Sequence, residues 1–120
     1  MTDHRARRVL VVDDEVLIAM LLTDMLEELG CEVVGPALHL DAAMALAREA
    51  PIDWAVLDLN LGGQPSFPVA QVLRDRNIPF VFASGYGSVA AGSGFETVTA
   101  IQKPFNLSEI AAALHAFAPQ

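Results

Sequence analysis

The chain has 120 residues, the length of one domain, and its seven Lys and Arg against fifteen Asp and Glu leave a net charge of −8. That balance disfavours nucleic acid, whose phosphates need clustered basic residues; Arg5, Arg7 and Arg8 at the N-terminus read as solubilising. Although 53% of the residues are apolar, the longest apolar run, Val16 to Leu22, falls short of the roughly 18 residues of a membrane span, and Val9 to Val12 is too short for a secretory signal. No membrane association and a cytoplasmic location are therefore expected. The single Cys31 excludes an internal disulfide and, at the edge of an apolar run, reads as structural rather than nucleophilic.

The elements follow in chain order. Arg8 to Asp13 reads as a buried strand, and Glu15 to Leu29 as an amphipathic helix with Ile18, Leu21, Leu22, Met25, Leu26 and Leu29 on one face. Gly30 stands where a helix C-terminal glycine belongs. Cys31 to Gly35 is a second strand stopped by Pro36, and Asp41 to Ala50 a second helix ended by Pro51. Trp54 to Asp58 is the third strand, Gly62, Gly63 and Pro65 mark a loop, and the third helix runs over Val69 to Arg76, starting as early as Phe67. Ile78 to Ser84 and Val98 to Gln102 are the last two strands, and Leu107 to Ala118 is the final helix, capped by Asn106 or Ser108. Between these strands, four of the eight glycines fall within Gly85 to Gly94, and each costs about 1 kcal/mol inside a helix. The fourth helix should therefore be short, frayed or absent. The alternation predicts an α/β fold, a doubly wound five-stranded parallel sheet in one domain with its core at about 8–118.

In such sheets ligands bind beyond the carboxyl ends of the strands. Those ends carry Asp13-Asp14, Asp58, Ser84-Gly85 and Lys103-Pro104, so three carboxylates, a hydroxyl and the only lysine should converge. Crowded carboxylates need a cation or raised pKa values, and an all-oxygen set suits Mg²⁺. Backbone N–H groups at Leu59, Asn60 and Gly85 are available to the same space. Metal, ammonium, hydroxyl and amides together are equipment for holding a phosphoryl group. Each residue taken alone has a plainer role: Asp13 or Asp14 as a helix cap, Asp58 as a turn residue, Lys103 as a surface lysine. Their joint placement at successive strand ends favours the site. Two other patterns are set aside. Gly85-Tyr-Gly87-Ser-Val-Ala90 fits a dinucleotide fingerprint but leaves room for only one strand and helix behind it. His4, His39 and His115 lack zinc-ligand spacing.

From Arg8 to about Ala118 the sequence resembles a receiver domain of a two-component response regulator. The motifs that carry the resemblance are Val-Val-Asp13-Asp14-Glu, Leu57-Asp58-Leu, Ala83-Ser84-Gly85 and Lys103-Pro104-Phe105. The resemblance implies a flavodoxin-like (βα)5 fold and makes Asp58 the phosphoacceptor. It implies a Mg²⁺ held by Asp14, Asp58 and the backbone carbonyl of Asn60, with Asp13 acting through a coordinated water, and it gives Ser84 and Lys103 the phosphoryl oxygens. The donor it implies is a phosphohistidine on a sensor histidine kinase or histidine phosphotransfer protein, and the output surface is the face of the fourth helix, fifth strand and fifth helix. One departure concerns the switch. Receivers carry Tyr or Phe three residues before the lysine, and here that residue is Ala100. Pro79-Phe-Val-Phe-Ala-Ser-Gly-Tyr-Gly87 instead resembles the FAT GUY class, with Phe82 and Tyr86 in the motif and Ser84 in place of threonine. Ordering of residues 85–95 on phosphorylation is the expected substitute for an aromatic rotation.

Three functions compete. The first is a single-domain phosphorylation switch, monomeric or weakly dimeric, that signals through protein contacts and turns over no substrate beyond slow loss of its own phosphate. The second is a receiver-like docking module that works without phosphorylation; retention of Asp13, Asp14, Asp58, Ser84 and Lys103 speaks against it. The third is an aspartyl-phosphate phosphohydrolase, which needs a second acid near the nucleophile. Asn60 stands two residues after Asp58, and the chain is too short to carry a lid.

Overall fold

The computed structural model describes residues 6–85 and 93–117. Five parallel strands form one sheet: β1 (Arg8–Val12), β2 (Glu32–Ala37), β3 (Trp54–Asp58), β6 (Phe80–Ser84) and β7 (Ala100–Gln102), in the order β2-β1-β3-β6-β7. A two-stranded hairpin, β4 (Asn60–Leu61) and β5 (Gln64–Pro65), stands apart from it. The helices are α1 (Val16–Glu28), α2 (Leu40–Glu49), α3 (Phe67–Asp75) and α4 (Leu107–Phe117).

The strands read as unbroken apolar runs because both faces of the sheet are covered. Val9, Val11, Trp54, Val56, Val81 and Ala83 pack with Leu22 and Leu26 of α1 and with Ile110 and Leu114 of α4. The alternate residues Leu10, Val12, Ala55, Leu57 and Phe82 pack with Ala43 and Ala47 of α2 and with Val69 and Leu73 of α3. Period-two alternation thus feeds two cores from each strand. The doubly wound five-stranded parallel sheet is as expected.

Several boundaries differ from the sequence reading. β2 does not stop before Pro36 but continues to Ala37. It lies at the sheet edge, where a residue without an N–H is tolerated. The β1–β2 register shifts between Leu10 and Val12, beside Gly35 at φ +96°, where an added Cβ would lie 2.7 Å from the Ala37 nitrogen. Gly62 and Gly63 do more than mark a loop: at φ +59° and +88° they form the two-residue turn of the β4–β5 hairpin. α3 begins at Phe67, the earlier of the two expected starts, with Pro68 in its first turn. β6 begins at Phe80 rather than Ile78, and β7 at Ala100 rather than Val98. Asn106, not Ser108, caps α4: its Oδ1 accepts the Glu109 N–H at 2.9 Å while Glu109 Oε1 accepts the Asn106 N–H at 3.1 Å.

On α1 the expected apolar face is too wide. Leu22 and Leu26 are buried and Ile18, Met25 and Leu29 pack against them, but Leu21 is 44% exposed. One residue is about 100° of helix rotation, which carries Leu21 off the stripe centred on Leu22. It joins Val16, Leu17 and Met20 in an exposed apolar patch on the first two turns. Tyr86 and the middle of the glycine-rich stretch, residues 86–92, lie outside the described residues. So do residues 1–5, with His4, and residues 118–120.

Candidate functional site

The parallel register builds the site. Val12 stands beside Leu57, so the residues that follow them, Asp13 and Asp58, end adjacent strands side by side. Asp58 stands beside Ala83, and Ser84 beside Gln102. The ladders continue past the strand ends: Asp13 N–H donates to the Ala37 carbonyl (3.1 Å), Leu59 N–H to Ala83 (3.1 Å) and Lys103 N–H to Ser84 (2.9 Å). Neighbouring strands lie about 4.8 Å apart, so four consecutive strand ends deliver Asp13, Asp58, Ser84 and Lys103 to one edge.

Lys103 is the centre of this edge. Its Nζ lies 2.8 Å from Asp13 Oδ2, 3.2 Å from Glu15 Oε1 and 3.3 Å from Asp58 Oδ2. The Asp13 side chain is 2% exposed, the Asp58 side chain 10% and the Lys103 side chain 11%. Burial alone would lower the Lys103 pKa; the hydrogen bond and charge of Asp13, then Asp58 and Glu15, more than reverse this and raise it. Asp58 moves the other way for a carboxylate. Burial and then repulsion from Asp13 push it up to about 7, against the opposing pull of the Asn60 N–H and Lys103. The two directions agree: the ammonium is committed first to Asp13, and Asp58 is left with a longer contact.

The carboxylates of Asp13, Asp14, Glu15 and Asp58 lie within 4.8 Å of one another, facing one ammonium. This all-oxygen set, with an excess of negative charge, fits a hard divalent cation such as Mg²⁺. Neither Asp13 nor Asp14 caps α1 in the ordinary sense. Asp13 Oδ1 accepts the Glu15 N–H at 2.9 Å, ahead of the first helical turn, and Asp14 Oδ2 reaches the Gly62 N–H of the hairpin at 2.8 Å. The hairpin also places Asn60. Its N–H donates to Asp58 Oδ1 at 3.3 Å, and it faces Pro65 at a non-hydrogen-bonded position between the Leu61–Gln64 and Leu59–Ser66 pairs, so the ladder does not use the Asn60 carbonyl. The Leu59 carbonyl, by contrast, accepts the Ser66 N–H at 3.0 Å.

Asp14, Glu15, Asp58, Leu59, Asn60, Ser84, Gly85 and Lys103 line one open cleft of about 750 Å³, closed on one side by Pro65 and Phe67. The expected site residues are therefore together, with Asp13 buried directly behind Lys103. Of the switch residues, Ser84 lines the cleft, Phe82 is fully buried beneath it and Ala100 stands beside Phe82 in register. Two participants were not foreseen. Glu15 pairs with Lys103, and the signal for it was the acidic triplet itself, which one lysine cannot neutralise. Phe67 closes the cleft wall, and the sequence held no sign that this ring rather than another would reach it. Cys31 is buried in the core with its thiol pushed up by burial, consistent with a structural role.

The Asp58 environment carries a pH signature. Its folded-state pKa exceeds its ordinary value of 3.8, so between about pH 4 and 7 the folded chain binds more protons than the unfolded chain. Stability is lost as pH rises through that window. Asp58→Asn, a neutral isostere, should escape the loss: in EDTA, its stability advantage over the parent should grow by about 2 kcal/mol from pH 5 to pH 8 in urea unfolding. Parallel pH curves for the two proteins would contradict the assignment.

Comparison with known proteins agrees with this geometry. The response regulator receiver domain family model matches residues 9–115. The transcriptional regulatory protein PdtaR of Mycobacterium tuberculosis is 30% identical over 112 residues, covering 90% of this chain and 55% of PdtaR. The phyllosphere-induced regulator PhyR of Methylorubrum extorquens is 30% identical over 113 residues, covering 91% of this chain and 42% of PhyR. The chain thus spans about half the length of these curated relatives. The solution structure of SdrG from Sphingomonas melonis superimposes with a TM-score of 0.81 at 43% identity, covering 92% of this chain and 95% of that one. The acidic pocket, the lysine that crosses it and the matched length identify this chain as a member of the response regulator receiver domain family.

Proposed function

We propose that Asp58 accepts a phosphoryl group from a phosphohistidine on a sensor histidine kinase or histidine phosphotransfer protein, and that the modified chain signals through protein contacts. The observation that carries this is the Asp58 carboxylate at the floor of an open cleft, 3.3 Å from the Lys103 ammonium and within the acidic cluster. In the transfer an Asp58 oxygen attacks phosphorus in line as the bond from phosphorus to the donor nitrogen breaks. Lys103 and the Ser84 hydroxyl meet the charge that spreads over the phosphoryl oxygens, and the amides after Asp58 add fixed dipoles. Asp14, Asp58 and the Asn60 carbonyl would hold Mg²⁺, with Asp13 behind them. Bound there, the ion supplies screening between the two anions. The site holds one bound phosphoryl group and turns over no external substrate.

The exposed apolar patch of Val16, Leu17, Met20 and Leu21 begins immediately after Glu15, at the rim of the same cleft. A protein donor must bring its histidine to this rim, and the patch gives it apolar area to bury. A small-molecule donor needs no such area.

The route from Asp58 to the surface runs through a ring cluster. Phe67, which lines the cleft, stacks on Phe95 at 5.3 Å, and Phe82 meets both rings edge-on at 5.9 and 6.1 Å. Ala100 packs against the same cluster and stands in register with Phe82, whose ring Phe95 covers. Phe95 is 4% exposed, and the Arg74 guanidinium lies 4.2 Å from its ring centre while donating to the Gly94 carbonyl at 3.1 Å. The expected ordering of residues 85–95 is thereby narrowed, because its far end is already packed. A phosphoryl group drawing Ser84 toward Asp58 pulls on a segment anchored at Phe95.

With Mg²⁺ and acetyl phosphate, the chain should gain one phosphoryl mass, and Asp58→Ala should gain none. Leu17→Gln should slow transfer from phosphorylated histidine kinases of the source organism at least about tenfold while leaving acetyl phosphate labelling unchanged. No mass gain in the parent protein would favour the docking module. Separately, phosphorylation should change amide exchange at Gly94 and Phe95; unchanged exchange there would exclude this route.

A further inference from the structure

We propose that Glu15 makes the site choose among phosphodonors by charge, an inference that rests on Asp58 being the phosphoacceptor. The Lys103 ammonium has three protons, and three carboxylates take them, at 2.8, 3.2 and 3.3 Å. A phosphoryl oxygen that reaches Lys103 must displace one of them. Asp13 has the shortest contact and a side chain 2% exposed, so its release would strand a buried carboxylate. Asp58 is the nucleophile, and its charge is consumed as the new bond forms. Glu15 has a side chain 62% exposed, and water replaces its contact at little cost. Glu15 is the partner that yields.

Until it yields, Glu15 opposes entry. It lines the cleft with Asp14 and adds a negative charge within 4.8 Å of the nucleophile. The side chain is not committed to the fold. It makes no cap hydrogen bond for α1, and its one side-chain bond among the described residues is to Lys103. Its charge therefore acts on whatever approaches Asp58. The burden falls hardest on a donor that carries two negative charges, such as an acyl phosphate. It is lighter for an N-phosphoryl donor whose nitrogen carries a proton. In both reactions an Asp58 oxygen bonds to phosphorus. With acetyl phosphate the P–O bond breaks and acetate leaves with the electron pair. With phosphoramidate the P–N bond breaks and ammonia leaves with the protons it already holds.

The test compares rates of phosphoryl mass gain for the parent, Glu15→Gln and Glu15→Asp, each with Mg²⁺ and either acetyl phosphate or phosphoramidate. Glu15→Gln should raise the acetyl phosphate rate about fivefold at low salt and the phosphoramidate rate about twofold or less, with both gains shrinking in 0.5 M NaCl. Glu15→Asp, which keeps the charge, should keep the parental donor ratio. The melting temperature should be the same in all three proteins. An unchanged donor ratio in Glu15→Gln, with the parent labelled normally, overturns this inference alone. No labelling of the parent by either donor overturns the phosphoacceptor reading and this inference with it.

Discussion

At the carboxyl edge of the sheet one ammonium faces four carboxylates, and the parallel register leaves the chain no means of separating them. Asp13 and Asp58 follow residues paired in adjacent strands, and Lys103 follows the strand beyond Ser84. Strand spacing alone brings their side chains within reach of one another. Most of what is distinctive in the molecule answers this crowding. Lys103 gives its shortest contact to the most buried carboxylate, Asp58 is driven up to about 7, Asp14 turns to the hairpin amide, and Glu15 reaches back from the helix entrance. The fold carries its site as an unbalanced charge, which a divalent cation and a phosphoryl group together are suited to complete.

Much of this was legible in the residues because the periodicities are simple. Double-faced burial makes the runs from Arg8 to Asp13 and from Trp54 to Asp58 unmistakable strands, and a parallel sheet puts function beyond their ends. The polar residues at those ends could be read directly from the chain. What could not be read depended on neighbours far away in sequence. Pro36 is a plausible strand terminator until β2 proves to be an edge. Leu21 belongs to the apolar face of α1 by type, yet no element among the described residues covers it. The hairpin hidden in Asn60 to Pro65 is two residues long on each side, too short for any pattern, and it is what orients the Asn60 backbone.

Ala100 shows how a missing side chain is balanced elsewhere in a close-packed core. A small residue beside Phe82 would leave a void, and the price in stability of such voids is high enough that a well-packed domain fills them. Here Phe95 enters from the loop before β7, with Phe67 on one face and Arg74 over the ring. The aromatic packed beside Phe82 is thereby supplied by the end of the glycine-rich segment rather than by the last strand.

The central claim is that uncompensated carboxylate charge, held by register and moderated by Lys103, suits the site to a cation. The most direct measurement is the rise in melting temperature produced by Mg²⁺ in the parent and in Lys103→Met, which keeps the stem and removes the ammonium. Without the ammonium the carboxylates repel more strongly, and a bound cation relieves more. The account predicts a larger Mg²⁺-induced rise in Lys103→Met than in the parent, by about 3 °C or more at 10 mM Mg²⁺. An equal or smaller rise, or no rise in either protein, would contradict it.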